Sequence, residues 1–369
     1  MIQFSCEKVL LQSAIAMTSR AASSKSSLPA LEGLLLQAGE SLTITGYNMS
    51  TGIRTLVPAM IQGQGDIVLN ARLFGDIVRR LPDDMVTLTA RENLTVHLHC
   101  GDADFDISGL SAADYPELPQ VSGDYSVTMK QNVLRTMIEE TSFSVSSNES
   151  RPVFTGALFE VADMKLTVVA VDGFRLALRR ESLDGLEGGA FSFVAPGNAL
   201  NEVRGICGPT EDPAVVTLGK RHILFEMGDS QLICRRLEGE FLDYRTAIPR
   251  KNGIHVSVNT RDLITCIDRV SVVISEKLKS PVRCRFDDGR VTLTARTGDG
   301  EARDVCPIEG DGGGLEIGFN NRYLMEALRY APADTVRLEL NTDVSPAVIV
   351  PVEGEETFLY MVLPVRLKA

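Results

Sequence analysis

Leu42-Thr-Ile-Thr-Gly46, Leu166-Thr-Val-Val-Ala170 and Val291-Thr-Leu-Thr-Ala295 are three versions of one short run rich in β-branched residues, and they recur at intervals of 124 and 125 residues. Each has the composition and near-alternation of a strand. An apolar, strand-like segment precedes each run, at residues 31–37, 156–161 and 282–286. A tight polar turn such as Asp287-Asp288-Gly289 separates the two, so each pair reads as a hairpin.

The repetition extends outward from the hairpins. Upstream lie helix candidates with apolar residues three or four apart: Val9, Leu10, Ile15 and Met17; Val133, Leu134, Met137 and Ile138; Leu263, Ile264, Ile267 and Val270. Thr128 and Thr260 are the clearer capping positions before them. Downstream, second helices are predicted at 71–81, 198–206 and 320–330, each followed by a strand, at 86–90, 215–219 and 336–340. Each third then closes on a tyrosine and an aliphatic-proline pair: Tyr115 with Leu118-Pro119, Tyr244 with Ile248-Pro249, Tyr360 with Leu363-Pro364. A period near 125 residues is too long for a solenoid and suits a whole domain. The sequence therefore predicts three similar α+β domains, over 1–121, 125–249 and 253–369, with boundaries in the polar stretches 120–124 and 250–253.

Composition narrows the function. The net charge of −12, from 37 basic and 49 acidic residues, excludes a protein that grips nucleic acid over its whole surface but not one with a local basic face. Many basic residues fall on the predicted helices, among them Lys8, Arg20, Arg72, Arg79, Arg80, Lys130, Arg135, Arg204, Arg261, Arg269, Arg322 and Arg329. Equivalent helices facing one surface would make a basic lining on an acidic body, attracting phosphates without reading bases. The seven cysteines form no C-x-x-C pair, which predicts reduced thiols and no zinc site. His97 and His99 share a strand face, with no cluster that suggests a metal. Without a basic and apolar leader or an apolar run of about 20 residues, a cytoplasmic protein is expected. No phosphate loop or G-x-S-x-G motif is present, and the pairs Asp83-Asp84 and Asp287-Asp288 sit where turns favour Asp, so no catalytic residues and no cofactor are expected.

Ala170-Val-Asp-Gly-Phe-Arg-Leu-Ala177 resembles the Thr-Asp-Gly-His-Arg-Leu-Ala signature in the middle domain of bacterial DNA sliding clamps, the beta subunits of DNA polymerase III. Ser111-Ala-Ala-Asp-Tyr-Pro116, Gly239-Glu-Phe-Leu-Asp-Tyr-Arg245 and Leu363-Pro-Val-Arg-Leu367 resemble further family segments in the same order, as does Leu28-Pro29 followed by Leu34-Leu35-Leu36. The likeness spans essentially the whole chain. It implies the DNA clamp fold: three domains, each of two helix-plus-antiparallel-sheet units, closing a ring as a head-to-tail homodimer around duplex DNA. The implied partners are duplex DNA without sequence preference, the DNA polymerase III alpha subunit, the clamp loader, and other polymerases and repair proteins that dock through short linear motifs; no membrane is implied.

Carried over by position, the resemblance implies a partner-peptide pocket of Phe154, Val171, Gly173, Phe174, Arg175, Leu176, Leu242, Ala247, Val344, Leu363, Pro364 and Val365. For Asp172 and Arg175, a salt-bridged turn is the alternative to direct contact. Arg20, Lys25, Arg72, Arg79, Arg80, Lys130, Arg135, Asn148, Arg151, Arg204, Arg269 and Arg322 would face DNA. Phe105 and Ile107 would meet Val272, Val273 and Ile274 of the second copy, with ordinary core as the alternative. The sequence departs from the family pattern at Val171 and Phe174 (usually Thr and His), Leu242 (usually Pro), Thr246-Ala247 and Pro196-Gly197-Asn198, and it carries Lys368-Ala369 beyond the usual end. The alternative function is therefore an accessory or diverged clamp-like scaffold that binds peptide motifs without topological linkage to DNA.

Overall fold

The structure, a computed structural model, describes residues 2–123, 125–249, 251–274, 280–354 and 357–367. Asp124 and Arg250, at the expected domain boundaries, and the extension Lys368-Ala369 lie outside the described residues. The first repeat supplies β1 (Gln3–Glu7), α1 (Lys8–Thr18), β2 (Gly33–Ala38), β3 (Leu42–Tyr47), β4 (Thr51–Val57), β5 (Met60–Gly63), β6 (Gly65–Asn70), α2 (Ala71–Arg80), β7 (Met85–Ala90), β8 (Thr95–Cys100) and β9 (Ala103–Ser108). The second supplies β10 (Tyr125–Lys130), α3 (Gln131–Ser142), β11 (Gly156–Ala162), β12 (Lys165–Val171), β13 (Arg175–Ser182), β14 (Gly185–Glu187), β15 (Phe191–Pro196), α4 (Gly197–Ile206), β16 (Pro213–Leu218), β17 (His222–Met227) and β18 (Ser230–Arg235). After the single turn α5 (Tyr244–Ala247), the third supplies β19 (Ile254–Asn259), α6 (Thr260–Ser271), β20 (Val282–Thr297), β21 (Gly300–Phe319), α7 (Asn321–Arg329), β22 (Thr335–Leu340), β23 (Ala347–Pro351) and β24 (Phe358–Val362).

The chain forms two compact units, residues 1–135, 184–189 and 202–236 in one and the remainder in the other. In unit one, a five-stranded antiparallel sheet runs β5-β1-β7-β8-β9 and a nine-stranded sheet runs β14-β10-β16-β17-β18-β4-β3-β2-β6. The seam between repeats is the pairing of β18 with β4, Leu232 opposite Ile53. Phe4, Leu11, Ile15, Leu34, Leu36, Phe74 and Val78 form the core where α1 and α2 lie on the sheets. In unit two, one ten-stranded sheet runs β15-β11-β12-β13-β24-β23-β22-β19-β21-β20. Its seam is β13 against β24, Ala177 opposite Tyr360, and its core gathers Leu263, Ile267, Phe286, Leu293, Phe319, Leu324 and Leu328. Helices packed on antiparallel sheets make this the expected α+β class, with sheets continuous from one repeat to the next.

Three local expectations need correction. Asp287-Asp288-Gly289 is no hairpin turn: β20 runs through it, with register shifts on both sides of Asp288, and the left-handed Gly289 (φ 67°) absorbs the irregularity as a bulge does. In α1 the buried stripe is Leu11, Ala14, Ile15 and Thr18, whereas Val9 and Leu10 are exposed; the spacing of 11, 14, 15 and 18 makes the narrower face. Thr128 lies inside β10 and Thr260 is the first buried residue of α6, so neither is a cap. The closing tyrosines sit differently: Tyr360 on a strand, Tyr115 in a loop and Tyr244 in a single turn.

Three of the helices are capped by asparagines. Asn70, Asn259 and Asn320 each accept backbone N–H hydrogen bonds at the start of α2, α6 and α7. Asn259 takes two, from Arg261 and Asp262, both at 3.1 Å. Replacing Asn259 with alanine is expected to cost about 1 kcal/mol, measured as a lower denaturation midpoint at unchanged slope.

Candidate functional site

Strand alternation sorts β13 into two faces. Leu176 and Leu178 join Val169, Val171, Tyr244, Val348, Val350, Leu359 and Met361 in one apolar cluster of unit two, with Phe154, Phe241, Ala247 and Ile248 packed against it. Ala177 joins the helix-side core. The cluster is covered by the segment through α5: Tyr244 Oη donates to Glu160 Oε2 at 2.7 Å, and Phe154 meets Phe241 edge to face at 5.5 Å between centroids. Leu363 is drawn in by its backbone N–H, which donates to the Phe174 carbonyl at 2.9 Å. Of the residues expected in the pocket, Phe154, Val171, Leu176 and Ala247 thus share one cluster, and Gly173, Phe174 and Leu363 meet at the turn beside it. Leu242 and Val344 are exposed, Pro364 is half-buried, and Val365 is tied by its N–H to the Gly318 carbonyl at 2.8 Å.

Arg175 is built into the turn itself. It is only 7% exposed, and its guanidinium is engaged by Asp172 Oδ2 at 2.8 Å, by Glu326 and by the Phe143 carbonyl. It also lies over the Phe143 and Tyr323 rings, 5.4 and 4.6 Å from their centroids. Asp172 Oδ1 accepts the Phe174 and Arg175 backbone N–H groups at 2.9 and 3.1 Å, closing the turn. Gly173 occupies the left-handed region there (φ 89°), where a β-carbon would be strained. The salt-bridged turn is therefore the arrangement present, and Arg175 holds the turn against α7. Phe174, 58% exposed, stacks on Tyr323 at 5.9 Å. Tyr323, Glu326 and Phe143 had no signal in the repeated pattern.

Further along β13, Arg179 Nε lies 2.8 Å from Glu140 Oε2. Burial pushes the Glu140 carboxyl up to about 7, against the opposing pull of Arg179. A carboxyl with a raised pKa keeps its proton better folded than unfolded, so its contribution is full below about 4.5 and is lost as pH rises through about 7. Glu140→Gln is expected to be more stable than the parent above pH 7 and to match it below about 4.5, in denaturant titrations across that range.

The basic positions divide between the units. In unit one, α1 and α2 pack side by side, with a cleft of about 240 Å³ lined by Gln12, Ser19, Arg72 and Arg79 among others. Arg20 pairs with Glu202 at 3.2 Å, Arg79 and Arg80 with Asp76, and Lys130 with Glu211 at 3.1 Å. Lys25, Arg72 and Arg135 are exposed and Arg204 half-exposed. In unit two, Arg269 pairs with Asp304 at 2.8 Å and Arg322 with Glu326 at 3.0 Å. Asn148 orders its own loop, its Oδ1 accepting from Ser150 N at 3.0 Å, beside the exposed Arg151. Half of these heads are thus paired rather than mobile. Exposed pairs hold by no more than about 1 kcal/mol.

On the edge strand β9, Phe105 is 37% exposed while Ile107 packs against the core. Val272 is exposed at the end of α6, and Val273 and Ile274 pack partly on the unit-two core. His97 and His99 are engaged across the same edge by Asp106 at 3.1 Å and Asp104 at 2.9 Å. Among the described residues no group of three His, Cys, Asp or Glu could hold a metal ion, and no helix is long and apolar enough to cross a membrane. All seven cysteines are buried and free.

Comparison with known proteins assigns this architecture. Models of the N-terminal, central and C-terminal domains of the DNA polymerase III beta subunit match residues 2–119, 128–243 and 245–366. The beta sliding clamp of Staphylococcus aureus is 29% identical over 377 residues, covering 99% of this chain and 100% of that protein. The structure of the Bacillus subtilis DNA polymerase sliding clamp superposes with a TM-score of 0.94 at 27% identity over 100% of both chains. That of the DNA polymerase beta subunit of Streptococcus pyogenes gives 0.93 at 27%, over 99% of this chain and 100% of that one. The chain belongs to the DNA polymerase III beta subunit family, the bacterial sliding clamps.

Proposed function

We propose that the chain is a sliding clamp: a protein that encircles duplex DNA as a homodimeric ring and tethers the replicative polymerase for processive synthesis. The observation that carries this reading is the match of all three family domains, in order, on a chain that covers the whole of its relative. It disfavours the scaffold alternative, since each of the three family domains has its match in this chain. The three domains are taken as 1–121, 125–249 and 253–369. The chain itself carries no catalytic residues in this reading and works in the cytoplasm with the polymerase III alpha subunit, the clamp loader and repair proteins.

The basic residues on and beside the helices would serve phosphates; Lys130, expected on a helix, ends the strand β10 just before α3. Arg20, Arg72, Arg79, Arg80, Lys130, Arg135, Arg204, Arg269 and Arg322, with Lys25, Asn148 and Arg151 on loops, offer charge without base contacts. Weak surface pairs such as Arg20–Glu202 are suited to this, because a passing phosphate can replace the carboxylate at little cost. The cluster under α5 and the 172–175 turn would receive the apolar anchors of a partner's linear motif, with Phe174 and Leu242 at its margin. Phe105, Ile107, Val272, Val273 and Ile274 would close the ring head to tail.

The test loads the purified protein onto nicked circular duplex with a clamp loader and ATP, then linearises the DNA. Retention on circles and loss from linear DNA are expected. Salt-labile binding indifferent to DNA ends would overturn the reading.

A further inference from the structure

Unit one contains a cavity of about 730 Å³, within the range of ligand pockets. Its floor is the face of the nine-stranded sheet turned away from α1 and α2, since Leu34 and Leu36 enter that core and Leu35 and Gln37 line the cavity. Thr45 pairs with Arg54 and Arg54 with Gln231, so these three form one row across the seam. Ile233 and Leu224 lie beside it. The roof is the segment 112–121, fixed by Tyr115 Oη donating to the Thr45 carbonyl at 3.2 Å. Leu118 closes over Gly52, where a β-carbon would sit 2.4 Å from Leu118 Cδ2.

The apolar cluster of unit two has the same construction. Tyr47 opposite Gly52 and Val171 opposite Leu176 are matching hairpin ends; Ile233 opposite Gly52 and Met361 opposite Leu176 are matching seams. By this register Thr45, Arg54 and Gln231 stand where unit two has Val169, Leu178 and Leu359, all buried and apolar. One recess was built twice and given opposite floors.

Arg54 decides what the polar one fits. It is half-buried, its Nε donates to Thr45 Oγ1 at 3.3 Å, and no ion pair recorded among the described residues includes it. Asp66 and Glu117 line the same cavity, but no carboxylate among the described residues pairs with Arg54. Asp66 lies three strands away, about 14 Å by strand spacing; Glu226 lies two strands away and accepts from Gln231 Nε2 at 3.2 Å; Glu117 is exposed on the roof. A half-buried guanidinium that lines a cavity and makes no ion pair matches a carboxylate.

We propose that this recess is a second docking site, which takes an extended acidic segment of a partner protein, its carboxylate on Arg54 and flanking aliphatic side chains against Leu35, Leu224 and Ile233. Its peptide class rests on the reading of the unit-two pocket; its preference for acid rests on Arg54.

The test is fluorescence anisotropy of the full-length protein with an acetylated, fluorescein-labelled hexapeptide of alternating leucine and aspartate, against the same peptide with asparagine for aspartate. The aspartate peptide is expected to bind roughly tenfold or more tightly, to lose that margin in Arg54→Gln, to keep part of it in Arg54→Lys, and to be unaffected by Phe174→Ala. Equal binding of both peptides, no saturation, equal loss in both Arg54 variants, or indifference to Arg54→Gln overturns the proposal. Loss in Phe174→Ala alone would also overturn it, by placing the peptide in the unit-two pocket, and would leave that pocket's reading intact.

Discussion

Arg175→Ala is expected to destabilise unit two by about 3 kcal/mol, the scale for removing one member of a buried ion pair. The guanidinium satisfies Asp172, Glu326 and the Phe143 carbonyl at once, and alanine leaves the carbonyl and Asp172 without it. Glu326 keeps Arg322, which places the cost at the lower end of the 3–5 kcal/mol range. Burial alone would raise the Glu326 carboxyl, but the hydrogen bonds from Arg175 and Arg322 outweigh it and hold the group below its usual 4.5. A lowered carboxylate contributes stability that is present above the unfolded pKa and lost as pH falls through the folded one. The difference between parent and variant should therefore narrow in acid. Urea titration at neutral pH and again below pH 4.5 checks both parts; a variant as stable as the parent at neutral pH would show that the guanidinium is not holding the turn to α7.

Phe105→Asp is expected to raise the dimer dissociation constant about 100-fold, since an exposed aromatic anchor typically carries more than 2 kcal/mol at an interface. Phe105 lies on β9, the last strand of its sheet, and is absent from the unit-one core, so the substitution leaves the fold alone. Ile107 would be a poorer choice, because it packs against that core. A free edge strand is a template for pairing with another chain. Sedimentation over a concentration series should show the parent at twice 40.1 kDa and the variant moving toward 40.1 kDa. Unchanged mass would remove β9 from the ring contact.

The repeated strands were legible because their alternation and their spacing near 125 residues depend on sequence alone. What the sequence hid was mostly tertiary. Asp287-Asp288-Gly289 has turn composition, yet its flanks pair with the distant β21, which keeps the chain running straight. Val9 and Leu10 look as apolar as Leu11, and only the packing of α1 decides which faces the sheet. Arg175 was legible as part of a motif but not as the partner of Glu326, 151 residues away. Arg54 carries no motif; its meaning comes from the register that sets it opposite Thr45 and Gln231.

The seam of unit one has a consequence for chain continuity. Residues 51–55 of the first repeat are zipped to residues 230–234 of the second, and Thr55 and Ser230 share a buried hydroxyl contact at 2.9 Å. The covalent link that follows the first repeat is therefore not what holds the two together. A backbone cut near the exposed Gln120 should leave a nicked protein that migrates as one particle under native conditions, and the two fragments, expressed separately, should find each other by completing a sheet.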